Sequence, residues 1–195
     1  MISFLTIPEP DAAARRLFEG DLVEPGFVMN TSRLWAYQPS TLEAMFDVMR
    51  LALAACPLTV RERGVLVAAT ASTLGDAYCS IAWGWKLADA ADETTAAGVL
   101  RGDDSGLTAS ERALATWARK VAADPNRTSG SDVQELRDAG YGDEQIFGIT
   151  VYLAMRVAFA TVNDALGTRP DAEYRDRAPA AILDSITFGR EIAEA

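Results

Sequence analysis

The stretch Leu58–Ala90, LTVRERGVLVAATASTLGDAYCSIAWGWKLADA, decides the fold. From Thr59 it reads as a helix, with Thr59 as the N-cap and an Ala-rich side suited to close packing. That helix ends near Gly75, and residues 76–91 read as the next one. Gly75 is the break, so Asp76 stands at a helix start and Cys79 in the first turn. Each residue of an α-helix turns about 100°, so Asp76, Cys79 and Trp83 fall within roughly 60° of one another. Tyr78 and Trp85 point the other way.

Working outward, the same periodicity continues. PSTLEAMFDVMRLALAAC (39–56) opens with Ser40 or Thr41 in the N-cap position, and its Leu42, Met45, Phe46 and Met49 recur at helical spacing until Pro57 breaks the pattern. After the turn RGDDSG (101–106), the segment LTASERALATWARKVAADP (107–125) is capped by Thr108 or Ser110 and stopped by Pro125. Next come a short helix, the turn Gly140-Tyr141-Gly142, and a long helix ending at Gly167. That long helix is apolar nearly all round, which predicts a central, buried position. No strand-like alternation is sustained, so the expectation is an all-α bundle forming a single domain over residues 1–195. The C-terminal residues 173–195 read as a docking helix or a tail.

Nearly half of the 195 residues are apolar, which is ample for a core, and the net charge of −10 argues against nucleic acid and anionic membranes as partners. The longest apolar run, Ile146–Val162, carries Arg156 and is short for a bilayer span, and the N-terminus has no cationic region of the signal-peptide kind. A cytoplasmic chain is the expectation. The chain has two cysteines and no histidine. Serine and cysteine triads that use imidazole, histidine-ligated metals and closed zinc sites are therefore excluded, and no metal or other cofactor is expected.

Cys79 is the candidate reactive group. Free backbone N–H groups at a helix start favour a thiolate, whereas the Asp76 charge opposes it, so the two effects are expected to offset. A cysteine in this setting also serves simply as a small buried hydrophobe. Asp76 is more readily a helix cap than an acid, and Trp83 more readily core or pocket wall than a platform for a cation or ligand. Arg156, alone in the long apolar helix, needs a buried acid, with Asp76 one candidate, or a subunit contact. Cys56 lies one helix length from Cys79, roughly 20 Å along the rise, too far to pair within one chain.

The quoted stretch resembles the core of the alkylhydroperoxidase AhpD-like and carboxymuconolactone decarboxylase superfamily, and its peroxidase-related branch most of all. That core runs Leu-Ser-x-Arg-x-Arg-Glu, an apolar helix, then Cys-x-x-Cys-x-x-x-His. Flanking pieces extend the resemblance over about residues 25–172. In peroxidatic members the second cysteine attacks the hydroperoxide, the first resolves it, and a glutamate with the histidine moves protons. On this resemblance Cys79 is the attacking cysteine and Tyr78 holds the place before it. Asp76 stands where the resolving cysteine is usual, Trp83 for the histidine and Gly64 for the glutamate. Glu62 faces roughly 200° away from the Gly64 position and is a poor substitute.

The resemblance therefore implies an AhpD-like helical bundle and two readings of function. In one, Cys79 works as a one-cysteine peroxidase on hydroperoxides with an external thiol reductant. In the other, a catalytically degenerate member binds a small molecule or serves an assembly. Decarboxylation conflicts with the missing histidine. For the second reading the pocket is expected to have an apolar wall and one anionic spot, Asp76, suited to an amphipathic or cationic ligand. The family's habit of forming dimers and trimers of dimers implies a homo-oligomer, from dimer to hexamer.

Overall fold

The computed structural model describes residues 1–194. Its α-helices are α1 (Ala12–Val23), α2 (Asn30–Trp35), α3 (Pro39–Ala52), α4 (Val60–Leu74), α5 (Ala77–Ala90), α6 (Glu93–Arg101), α7 (Ala109–Ala123), α8 (Gly130–Asp138), α9 (Asp143–Ala165), α10 (Tyr174–Arg177) and α11 (Ala180–Leu183). Among the described residues there is no strand, and the all-α expectation holds.

Helix α4 is the axis of the bundle, buried without interruption from Gly64 to Ala71. Its start is a capping box: Thr59 Oγ1 accepts from the Glu62 N–H at 3.2 Å, and Glu62 accepts from the Thr59 N–H at 2.8 Å. Its end is Gly75, at φ 73° in the left-handed region that a side chain disfavours. The small residues between let α5 and α7 pack directly on it. At Gly64 the approach is close, since a Cβ there would lie 3.0 Å from Leu87 Cβ on α5. Helix α7 has a second capping box at Thr108 and Glu111, and Arg61 at the start of α4 reaches across to Glu111. Pro39 occupies the first turn of α3 with Gln38 as its N-cap, two residues before Ser40 and three before Thr41, the expected caps.

The long helix α9 corrects one expectation. It packs on α3, α4 and α7, but only one side is buried, through Ile146, Ile149, Tyr152, Leu153, Phe159 and Ala160. Phe147 is 72% exposed, and Ala154 and Thr161, one and two heptads further on, are exposed too. Apolar composition all round did not mean burial all round, because α4 already fills the centre. Length and composition alone would let α9 cross a bilayer. Its packed side and Arg156 make it a helix of the bundle instead.

The C-terminal residues dock rather than trail. Ile182 is fully buried, the Ala193 N–H donates to the Pro170 carbonyl at 2.8 Å, and Gly189 rests against Gly75 and Ala77 at the start of α5.

Candidate functional site

Asp76 is the N-cap of α5, and its Oδ1 accepts from the Cys79 backbone N–H at 2.9 Å. The residue is completely buried, and Oδ2 has no hydrogen-bond partner. Burial pushes its carboxyl above the ordinary aspartate range, while the bonds from Cys79 and Tyr78 hold it back in part. Behind it, Asp164 near the end of α9 is raised to about 7, by burial first and then by the Asp76 charge.

Cys79 is only 6% exposed, yet it lines the floor of a cavity of about 430 Å³. Its thiol is pushed well above the usual range by burial, then by the charge and hydrogen bonding of Asp76, while Arg156 pulls it down. The expected offset between helix start and carboxylate does not occur. The backbone N–H that would favour a thiolate is already bound by Asp76, and desolvation outweighs both. At neutral pH Cys79 is a neutral thiol.

Trp83 forms part of the cavity wall and leaves the space beside it open. The Arg156 guanidinium lies over the Trp83 ring at 4.6 Å and the Tyr152 ring at 5.3 Å, and its Nε donates to Tyr152 Oη at 3.2 Å. Arg156 is therefore held by aromatic faces, and of the partners the sequence left open for it, Asp76 forms no ion pair with it. The expected anionic spot is not Asp76, which is buried and does not line the cavity; the cavity's carboxylates are Asp21, Glu24 and Asp89, and its cations are Lys86, Arg156 and Arg177.

Tyr78, on the other side of α5 as expected, is a latch. Its hydroxyl donates to Asp171 and accepts from Thr31 Oγ1 at 3.3 Å, while Asp171 also accepts from the Asn30 N–H at 2.7 Å. These bonds tie α2, α5 and the segment after α9 together at one edge of the cavity. Gly64 takes no part in the site; it serves the α4–α5 contact. Cys56 sits in a different hydrophobic cluster from Cys79, and both thiols are free.

Several wall residues escaped the sequence reading. Phe46 of α3 and Phe159 of α9 meet at 5.9 Å, and Phe159 stacks on Trp35 at 6.0 Å. Trp85 meets Tyr174 edge-on at 6.3 Å, with Arg177 over the indole at 5.7 Å. Lys86 pairs with Glu24 at 2.9 Å among the residues lining the cavity. The helical spacing around Phe46 was visible in the sequence, but nothing in it linked that helix to residues more than a hundred positions away.

No family model and no curated protein matches the chain. Solved structures do. An AhpD-core structure, a peroxidase-related protein from Ralstonia eutropha JMP134, superimposes with TM-score 0.77 at 26% identity, over 89% of this chain and 95% of that one. A peroxidase-related protein from Silicibacter sp. TM1040 gives 0.79 at 21% identity, over 90% and 95%. The debrominase Bmp8, as a cysteine-to-alanine variant in complex with 2,3,4-tribromopyrrole, gives 0.74 at 18% identity, over 94% and 99%.

Proposed function

We propose that this chain, which belongs structurally to the AhpD-like, peroxidase-related superfamily, is a one-cysteine thiol oxidoreductase working through Cys79. The observation that carries this reading is the position of that sulfur, the one thiol lining an aromatic-walled cavity, beside an arginine. A small hydroperoxide entering the cavity meets the thiol directly. Sulfur attacks the terminal oxygen, the S–O bond forms as the O–O bond breaks, and the leaving alkoxide takes up the thiol proton. The products are a sulfenic acid and an alcohol. An external thiol then displaces water to give a mixed disulfide, and a second external thiol releases Cys79 reduced.

Arg156 supports the negative charge that develops on sulfur and oxygen during the attack. Buried, with the Asp76 charge close by and no histidine to take its proton, the thiol ionises reluctantly, so turnover rises with pH. An external reductant suits a cytoplasmic, reducing setting, in which two buried free cysteines persist. The test is turnover of cumene hydroperoxide with a dithiol. Cys79→Ser is expected to fall to the rate of the protein-free mixture, and equal rates for the two proteins would remove the proposal.

A second reading, binding without turnover, is favoured by the aromatic walls and the neutral thiol. The structural neighbour Bmp8 was crystallised with a small aromatic ring, a tribromopyrrole. The Cys79→Ser comparison separates the two, because a pure binding role leaves ligand affinity in the variant and no turnover in either protein.

Assembly is part of the proposal. Leu51 and Val48 on α3 are 71% and 42% exposed, and Phe147, Ala154 and Thr161 form the exposed stripe of α9. A second copy of the chain covering these faces accounts for so much apolar surface in view of water.

A further inference from the structure

Beside the thiol cavity lies a groove of about 360 Å³ with different chemistry. It runs between α3, the Pro57–Leu58 segment and α9, and shares Phe46 and Arg156 with the cavity as walls. Arg50 and Arg63 line it as well, and among the described residues no carboxylate does. In a chain with 28 acidic against 18 basic residues, three guanidinium groups lining one groove, with a single acid, Asp47, pairing the one at its rim, are out of keeping with the rest of the surface.

The state of each arginine sharpens this. Arg63 Nε is buried with no hydrogen-bond partner. Among the described residues neither Arg63 nor Arg156 is in an ion pair, and only Arg50, at the exposed rim, pairs with Asp47. Arg156 uses Nε on Tyr152, and among the described residues its two terminal nitrogens have no protein acceptor. A desolvated guanidinium donor left unpaired is costly, and the planar fork of arginine is matched by the paired oxygens of a carboxylate or phosphate. The remaining lining, Met49, Leu53 and Leu58 together with Phe46, is apolar.

We propose that this groove binds the oxyanion head of a small amphiphilic anion, with Arg63 and Arg156 holding the head, Arg50 closing the rim, and the apolar lining seating the body. The proposal stands apart from the reaction at Cys79. It links to that reaction through Arg156, because a head group bound there occupies the cation that faces the thiol. Binding is therefore expected to slow alkylation of Cys79.

Phenyl phosphate and benzoate, titrated calorimetrically into the full chain at low salt, test it. One saturable site per chain is expected, weakened about tenfold or more in Arg63→Gln. The exposed Arg50→Gln, expected to weaken binding several-fold, covers the case that the first variant does not fold. Tighter phenyl phosphate assigns a phosphate monoester as the head, tighter benzoate assigns a carboxylate, and either supports the site. No saturation up to about 10 mM, or affinities indifferent to both substitutions, would overturn it. Cys79→Ser is expected to bind both probes as the parent does, so loss of turnover and loss of the anion site are read separately.

Discussion

At the scale of the residue, the chemistry turns on one carboxylate facing two ways. Asp76 Oδ1 fixes the first turn of α5 through the Cys79 N–H, while the charge of the same group adds to burial, the larger cause, in keeping the Cys79 thiol protonated. Structural and electrostatic roles are thus opposed in a single side chain, and substitution separates them. Asp76→Asn keeps an acceptor for the cap and removes the charge. The thiol of Cys79 is raised in the folded protein, so its alkylation rate climbs only at alkaline pH. In Asp76→Asn that rise is expected to move to lower pH, with several-fold faster alkylation at pH 8 and little loss of stability. Alkylation followed across pH checks this, and an unmoved profile would mean that burial alone sets the thiol. The cap itself was legible from the glycine and aspartate in sequence. The strength of the desolvation was not, because it depends on residues of α3 and α9 that close over the sulfur.

At the scale of the element, α4 and α5 form a hairpin whose close approach the Ala-rich sequence foretold. The family resemblance places a glutamate where Gly64 stands, and the packing explains why none fits here. The Gly64 Cβ position lies 3.0–3.3 Å from Leu87 atoms, in a contact sealed from water. Gly64→Glu is expected to cost about 3 kcal/mol or more, from overpacking and from a buried carboxylate without a partner. For a chain of this length that is a fall in Tm of about 6 °C at least. Thermal unfolding measures it, and an unchanged Tm would show that the two helices part freely. Restoring the motif residue is accordingly not expected to restore a proton relay. The position of α9 was the element least legible in sequence. Its apolar residues run round the whole helix, and periodicity cannot say which side meets the protein and which another surface.

At the scale of the whole molecule, the exposed stripes of α3 and α9 make their own prediction. Light scattering of the purified chain is expected to give at least twice the 20.9 kDa chain mass, and Phe147→Glu with Leu51→Glu is expected to return it to the monomer. A monomeric parent protein would refute the proposed assembly. The cavity belongs to this scale as well, since α2, α3, α5, α9 and α10 each bring residues to it. Read alone, the sequence determined the helical class, the caps at Thr59 and Asp76, and the face shared by Asp76, Cys79 and Trp83, and it left the cap of α7 between Thr108 and Ser110. Those features depend on neighbours within one or two helical turns, where spacing and backbone geometry suffice. Only the tertiary structure decided that Arg156 lies over Trp83 rather than beside Asp76, that the thiol is neutral, and that three arginines meet in one groove. Such facts rest on desolvation and on contacts between distant segments, which arise only when the helices pack.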